Sequence, residues 1–165
     1  MAENVALDGE EQLVVFDLAN ESYAVDIGAV HEIIRMQHIT EVPRAPHFVE
    51  GVINLRGKVI PVIDLRRRFG LAGGEHGRAS RIVVVDVGEH TIGIVVDGVS
   101  EVLRIPKSTI EPPSPVVTTV DSGYLRGIAK LEDRLIILLE LDKVLTAVDQ
   151  HAVDGVLGDG TKAAA

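Results

Sequence analysis

The stretch LVVFDLANESYAVDIGAVHEI (13–33) returns without gaps, 69 residues later, as IVVVDVGEHTIGIVVDGVSEV (82–102). The identical aligned pairs are Val14/Val83, Val15/Val84, Asp17/Asp86, Val30/Val99 and Glu32/Glu101. Both copies consist of short runs of Val, Ile and Leu that end at Gly, Asn or Asp, which is typical of β-strands joined by tight turns. The stretch therefore predicts a β-hairpin followed by a short helical turn, present twice.

A second pair of segments follows the two copies in the same order. GVINLRGKVIPVIDLRRRF (51–69) aligns with GIAKLEDRLIILLELDKVL (127–145) at an offset of 76. Matches at this offset include Gly51/Gly127, Leu55/Leu131, Ile60/Ile136 and Leu65/Leu141. Two blocks in one order indicate duplication of a β unit of about 70 residues. Because a unit of that size is marginal alone, we expect the two copies to bury a shared apolar seam.

Composition limits the class of protein. Of the 165 residues, 46% are hydrophobic, and 25 acidic against 16 basic residues give a net charge of −9. There is no apolar run of about 18 residues, and the first residues lack the basic start and apolar stretch of a signal peptide. An acidic surface disfavours binding to nucleic acid and to anionic membranes, so neither nucleic acid nor direct membrane insertion is expected. Cysteine is absent, which excludes disulfides, thiolate metal sites and cysteine nucleophiles.

The predicted organisation is a single domain over residues 12–150 that contains two subdomains. Subdomain 1 covers 12–70 and subdomain 2 covers 81–150, with an exchange of terminal elements between them left open. The Gly-rich stretch GLAGGEHGRAS (70–80) is the predicted loop between them. Apolar residues at 141, 144, 145 and 148 predict a capping helix over 141–150. Residues 1–11 and 151–165 are expected to be flexible tails.

The residues do not predict an active site. The sequence has no phosphate-binding Gly-rich loop, no His-x-x-x-His pair and no GxSxG turn, so we expect no cofactor, metal site or catalytic residue. Asp121-Ser122-Gly123 resembles the motif of aspartic proteases, where two such aspartates share a proton and a homodimer would supply the second. The motif follows a proline-rich stretch, however, and a simple turn is the favoured interpretation. A binding module is therefore expected, not an enzyme.

Specific motifs then indicate a family. Asn54-Leu55-Arg56-Gly57, followed by Val59-Ile60-Pro61-Val62-Ile63-Asp64-Leu65, resembles the signature of the CheW family of chemotaxis coupling proteins. The resemblance extends over residues 12–148 in the family's order. It includes Val30-His31-Glu32-Ile33, Gly93-Ile94-Val95-Val96-Asp97-Gly98-Val99 and Tyr124-Leu125-Arg126-Gly127.

The resemblance implies a mostly β fold: two pseudo-repeated, SH3-like five-stranded β-barrels packed together, with short helices and a C-terminal helix. It implies a cytoplasmic, non-catalytic adaptor in arrays at the inner face of the membrane. Such an adaptor couples the cytoplasmic tips of methyl-accepting chemoreceptors to the regulatory domain of the histidine kinase CheA, and so enables receptor control of the kinase. Weak self-association in rings is a further expectation, with a monomer at low concentration.

Alternatives within and outside the family remain open. The kinase itself and CheV-type proteins carry further domains, for which we expect no room in 165 residues. An adaptor of a non-flagellar, type IV pilus pathway would use similar binding chemistry. A small β-barrel scaffold with another partner is the alternative outside chemotaxis.

The receptor tip would lie in the groove between the two barrels, as the resemblance implies. Arg56 is the strongest candidate, because an arginine at a buried edge of an acidic protein needs a carboxylate or carbonyl partner. The alternative is that Arg56 only ties the two barrels together. Gly93 would let a helix backbone come close, its alternative role being a strand bulge. The full predicted receptor-binding set is Val30, Glu32, Ile33, Arg56, Val83 and Gly93.

Two segments are predicted to contact the kinase. The first is an exposed edge of the first barrel, and the second is the loop 110–116. The predicted kinase-binding residues are His38, Thr40, Val42, Ile110, Glu111 and Val116.

Overall fold

The computed structural model describes residues 9–71, 77–87, 89–112 and 125–144. Strands dominate these ranges, with two short α-helices and single 3₁₀ turns at Ile27–Ala29 and Lys107–Thr109. The elements are β1 (Glu10–Leu18), β2 (Glu21–Asp26), β3 (Val30–Arg35), β4 (Val49–Leu55), β5 (Lys58–Asp64), α1 (Leu65–Arg68), β6 (Arg81–Val87), β7 (His90–Val96), β8 (Gly98–Pro106), β9 (Ile110–Glu111), β10 (Leu125–Leu131), β11 (Arg134–Leu139) and α2 (Leu141–Val144).

The strands form two sheets, so the predicted mostly β class is confirmed. Sheet 1 has the order β8-β1-β2-β11-β10-β9, and sheet 2 has the order β3-β6-β7-β5-β4. Sheet 1 has six strands where five were expected, because the two-residue β9 adds to its edge. Within the described ranges all strand pairs are antiparallel except β2 with β11 and β5 with β7, which are parallel.

The two predicted subdomains exchange hairpins in forming the two sheets, and the prediction leaves an exchange of elements open. The hairpin β1–β2 lies N-terminal to the 70–80 loop but pairs with β8 and β11, whereas β6–β7 lies C-terminal to it but pairs with β3 and β5. Each sheet therefore takes strands from both 12–70 and 81–150. The repeat in the sequence records which strands resemble each other, whereas pairing depends on tertiary contacts that the repeat does not encode.

The duplication is visible at equivalent positions of the two sheets. A bulge interrupts the pairing of β4 with β5 just before Gly51, and another interrupts β10 with β11 just before Gly127. A Cβ atom at Gly51 would clash with the carbonyl oxygen of Thr40, and one at Gly127 would lie 2.8 Å from the carbonyl oxygen of Glu111. In both sheets a glycine thus lets a neighbouring backbone come close.

Three apolar clusters hold the fold together, and the largest forms the expected seam. One cluster is enclosed by sheet 1 and one by sheet 2. The seam takes alternate residues of β1, β2, β6 and β7, and these strands are therefore buried on both faces, which explains their nearly continuous apolar runs. Its buried members include Val14, Phe16, Tyr23, Val25, Ile63, Val83, Val85, Ile92, Ile94 and Leu141.

The structure bears on the predicted N-terminal tail and the predicted C-terminal helix. Glu10 and Glu11 were expected in a flexible tail but belong to β1, where they pair with β8. α2 lies within the predicted helix 141–150, and its first residue is buried. Residues 145–165, Val116 and Asp121-Ser122-Gly123 lie outside the described residues. No helix in the described ranges is long and apolar enough to span a membrane.

Candidate functional site

Arg56 and Glu32, two predicted site residues, form a bidentate ion pair. Arg56 lies in the turn between β4 and β5, where positive φ at both Arg56 (53°) and Gly57 (84°) is typical of a tight hairpin turn. The side chain of Asn54 accepts a hydrogen bond from the Gly57 amide at 2.8 Å and stabilises this turn. The two terminal nitrogens of Arg56 donate to the two carboxylate oxygens of Glu32 on β3, at 2.6 and 2.7 Å.

This pair corrects the expected environment of Arg56. The Arg56 side chain is 69% exposed, not buried, and its carboxylate partner belongs to the same chain. The pair also does not tie two barrels together, because both residues lie in sheet 2, whose outermost strands are β3 and β4. The hydrogen bonds from Arg56 lower the pKa of Glu32, and the same bonds raise the pKa of Arg56. A planar, oriented guanidinium is therefore presented to solvent.

A β-bulge in β3 aims Glu32 at Arg56. Val30 pairs with Val85 and Glu32 with Val84, so His31 is an extra residue between two consecutive partners. His31 Nε2 lies 2.9 Å from Asp86 Oδ1 on β6.

A cleft of about 270 Å³ opens beside the ion pair. Its wall combines the polar side chains of the pair with the apolar end of the cluster inside sheet 2. The lining residues are His31, Glu32, Leu55, Arg56, Lys58, Ile60, Val84 and Thr91.

Val83 and Gly93 do not belong to an accessible surface. Val83 is 1% exposed and packs in the seam, and its cross-strand partner on β3 is Ile33. Gly93 is buried in β7, where a Cβ atom would lie 2.7 Å from Cγ2 of Ile82. The close approach at this glycine thus comes from inside sheet 2 and not from a partner helix. The groove predicted between the barrels is, at these two positions, a packed core.

The other four predicted receptor residues all belong to sheet 2: Val30, Glu32 and Ile33 lie on β3, and Arg56 lies in the β4–β5 turn. We call the region around β3 and this turn the end of sheet 2. Val30 is half-buried against the seam, and Ile33 is 40% exposed. With Glu32 and Arg56 they combine apolar surface with an oriented ion pair.

Four of the five large aliphatic residues that are exposed in the described ranges occupy equivalent positions in the two repeats, the exception being Ile27. Ile33 corresponds to Val102 at the offset of 69, and Val59 corresponds to Leu135 at the offset of 76. Their exposures are 40%, 53%, 53% and 50%. Glu101 corresponds to Glu32 and likewise forms an ion pair with an arginine of a hairpin, Arg134. Both sheets therefore display two exposed aliphatic side chains and an ion pair.

The two segments predicted to contact the kinase are also equivalent. Thr40 forms two backbone hydrogen bonds of 2.8 Å with Val52, at the outer side of β4. Glu111 pairs with Ile128 of β10, which corresponds to Val52 at the offset of 76. His38 and Thr40 are exposed, Val42 and Ile110 are half-buried, and Glu111 is exposed. These residues thus form two edges, one per sheet.

Side chains that could bind a metal do not cluster in the part of the chain that the structure describes. No group of three or more His, Cys, Asp or Glu side chains there could hold a metal ion.

Comparisons with known proteins agree on one family. The family model described as CheW-like domain matches residues 12–149. The Chemotaxis protein CheW of Klebsiella aerogenes is 36% identical over 146 residues, which are 88% of each chain. Protein FrzA of Myxococcus xanthus is 32% identical over 146 residues, covering 87% of this chain and 91% of that one. The crystal structure of the scaffolding protein TtCheW from Thermoanaerobacter tengcongensis superposes with a TM-score of 0.78 at 45% identity, covering 83% of this chain and 88% of that chain.

Proposed function

The chain belongs to the CheW-like domain family, a family of chemotaxis scaffolds, and on that premise we propose that it couples chemoreceptor tips to the histidine kinase CheA without catalysis of its own. The observation that carries this proposal is the repetition of one kind of surface on both sheets. Exposed aliphatic residues scattered singly need no explanation. Here four of the five recur at equivalent positions, and in each repeat the corresponding glutamate, Glu32 or Glu101, pairs with a hairpin arginine, which suits an adaptor with more than one partner.

The receptor site is proposed at the end of sheet 2, where Val30, Glu32, Ile33 and Arg56 lie. Two of the five guanidinium donors of Arg56 are used by Glu32. Donors on the solvent side remain for a carboxylate or carbonyl group of the receptor tip. Ile33 and the half-buried Val30 supply the apolar surface that a helix needs for packing.

The kinase contacts are proposed at the two equivalent edges, His38–Val42 beside β4 and Ile110–Glu111 in β9. Their position at the outer side of each sheet supports two contacts on opposite parts of one chain. Such an arrangement would let the adaptor alternate with the kinase in cytoplasmic arrays. The similarity to Protein FrzA, a relative that carries another name, favours one second candidate: an adaptor of a non-flagellar pathway.

Kinase activation in a reconstitution tests the proposal. Receptor-tip assemblies and the cognate kinase are assayed for autophosphorylation with the wild type, without it, and with Arg56→Glu. Arg104→Glu is the matched control, because Arg104 is an exposed arginine on β8 of the other sheet. We expect activation by the wild type and by the control, and loss of receptor binding in Arg56→Glu. A wild type that binds neither receptor nor kinase would refute the coupling function.

A charge-swapped variant separates recognition from fold. Arg56→Glu combined with Glu32→Arg restores an ion pair with the charges exchanged. If the receptor reads the guanidinium of Arg56, the swapped variant folds but stays defective in receptor binding. Full activity of the swapped variant would instead assign the pair a structural role and move the receptor site elsewhere.

A further inference from the structure

The extra residue in β3 determines which way Glu32 points. In an unbroken antiparallel register, successive side chains alternate between the two faces, and a shift by one residue reverses every face. Val30 faces the seam opposite Val85, so without the bulge Glu32 would be opposite Val83 and would face the same side. With His31 as the extra residue, Glu32 is opposite Val84 instead, on the face of the cluster inside sheet 2. Only this register directs the carboxylate toward Arg56.

The side chain of the extra residue is held by a neighbouring strand. His31 Nε2 lies 2.9 Å from Asp86 Oδ1, and the carboxylate oxygen also accepts a hydrogen bond of 3.2 Å from Thr91 Oγ1 on β7. Asp86 and Thr91 are cross-strand partners, so the carboxylate is fixed by the hairpin β6–β7. The His31 hydrogen bond thus holds the bulge against the Asp86 carboxylate, which Thr91 in turn holds in place.

The second repeat contains the same device. In the pairing of β8 with β1, Val99 is opposite Phe16 and Glu101 is opposite Val15, so Ser100 is the extra residue. Ser100 corresponds to His31 at the offset of 69, and its hydroxyl donates to the carbonyl oxygen of Val15 at 3.3 Å. The following glutamate again forms an ion pair with a hairpin arginine, Arg134. Two independent copies therefore combine a bulge, a side chain that holds it, a glutamate and an arginine.

We propose that His31, held by Asp86, is a positioning residue for receptor binding: it fixes the bulge that presents Glu32 to Arg56. This inference rests on the proposed function, because it concerns the same receptor site. Bulges next to functional sites commonly serve to redirect a side chain. Without the hydrogen bond, β3 loses the contact that favours the bulged register, and Arg56 loses its oriented partner.

The test compares His31→Ala with His31→Gln. Gln retains a side-chain N–H that can donate to Asp86, whereas Ala removes the donor, and both lack any imidazole charge. Because His31→Ala loses one hydrogen bond to a partly exposed carboxylate, we expect its dissociation constant for the receptor to be about 3- to 10-fold higher than that of the wild type. We expect His31→Gln to restore most of the affinity. Ser100→Ala is the matched control, because it removes the equivalent side chain from the other sheet and is expected to leave receptor affinity unchanged.

A second readout does not depend on the receptor. Arg56 lowers the pKa of Glu32 mainly through its hydrogen bonds. If His31→Ala releases the pair, the Glu32 carboxyl, followed by NMR, titrates at higher pH than in His31→Gln. In the Arg56→Ala background, His31→Ala should then cause no further loss of receptor affinity, because the two residues act in series.

Each outcome decides a separate point. Unchanged affinity and unchanged Glu32 titration in His31→Ala overturn the proposal. If His31→Gln is as defective as His31→Ala, the hydrogen bond to Asp86 is not the cause, and the proposal is also overturned. If the wild type does not bind receptor tips at all, the proposed function fails, while the Glu32 titration still decides whether His31 positions the pair.

Discussion

Substitution of Gly51 by alanine tests the close approach at the edge of sheet 2. A Cβ atom there would collide with the carbonyl group of Thr40 and would lie 2.8 Å from Cγ2 of Ile39. Thr40 must therefore move, which breaks its two backbone hydrogen bonds with Val52. At about 0.5–1.5 kcal/mol for each bond, the expected loss of folding free energy is about 1–3 kcal/mol.

Thermal unfolding measures this loss directly. For a domain of this size, 1 kcal/mol corresponds to about 2–4 °C, so Gly51→Ala is expected to lower the melting temperature by about 2–12 °C. Gly77→Ala is the control, because nothing lies within 4 Å of a Cβ atom at that position and its φ is not positive. A melting temperature for Gly51→Ala within about 1 °C of the control would refute the argument from the Thr40 contact.

The equivalent substitution in sheet 1 makes the prediction more stringent. At Gly127 the backbone contact is longer, 2.8 Å to the Glu111 carbonyl oxygen, and the other close atom is Cγ2 of Ile110 at 2.7 Å, comparable to the Ile39 contact at Gly51. Gly127→Ala should therefore be destabilised less than Gly51→Ala. If Gly127→Ala were instead less stable than Gly51→Ala, the geometric argument would be contradicted.

Binding of the isolated kinase regulatory domain should weaken in Gly51→Ala, because the substitution moves Thr40, a proposed kinase contact.

Three further predictions concern the seam and the ion pair. Val83→Ala should lower the free energy of unfolding in urea by about 1–3 kcal/mol and leave receptor affinity unchanged. Ile33→Ala should weaken receptor binding and leave the free energy of unfolding nearly unchanged. Equal receptor-binding defects in the two variants would show that Val83 contributes to the receptor site after all. Burial, with a smaller contribution from Glu21, raises the pKa of Tyr23, so the protein should lose stability above about pH 10, and Tyr23→Phe should remove that loss in pH-dependent urea titrations. The pKa of Glu32 is lowered, so its contribution to stability is present above its ordinary pKa of 4.5 and is lost as the pH falls through the folded-state pKa. Glu32→Gln should therefore reduce the loss of stability that the protein shows on acidification. The same loss of stability in Glu32→Gln and wild type would argue against the ion pair.

The strands and the duplication could be predicted because their physical cause is local. Runs such as RIVVVDV (81–87) are apolar on both faces, since one face lies in the seam and the other inside a sheet. The closely packed glycines were matched at the correct offset, Gly51 with Gly127. The family motifs then located Glu32 and Arg56, which the structure brings together.

Other features depended on tertiary contacts that composition and alignment do not contain. The exchange of β1–β2 and β6–β7 between the sheets follows from the parallel pairs, which no local pattern specifies. Val83 was mistaken for surface because a strand buried on both faces resembles one that borders a groove. His31 and Asp86 were not among the predicted site residues, because a bulge has no compositional signature. Its one trace is the polar residue between matched Val and Glu in both repeats, His31 in the first and Ser100 in the second.

The exchange of hairpins has a mechanical consequence for an adaptor. Because each sheet takes strands from both sides of the 70–80 loop, the two halves of the sequence cannot separate without breaking ladders of strand hydrogen bonds. The sheets themselves are joined by the seam and by two short connections, residues 27–29 between β2 and β3 and Asp97 between β7 and β8. Asp97 adds a polar link: its carboxylate accepts from the Ala19 amide of the β1–β2 turn at 2.9 Å and from Arg66 of α1, while its own amide donates to the Asp17 carbonyl oxygen. The seam, the two short connections and the Asp97 hydrogen bonds all oppose a displacement of one sheet relative to the other. We expect these links to hold the two proposed kinase edges and the Glu32–Arg56 pair in a fixed mutual geometry, which a scaffold needs if receptor position is to determine kinase position.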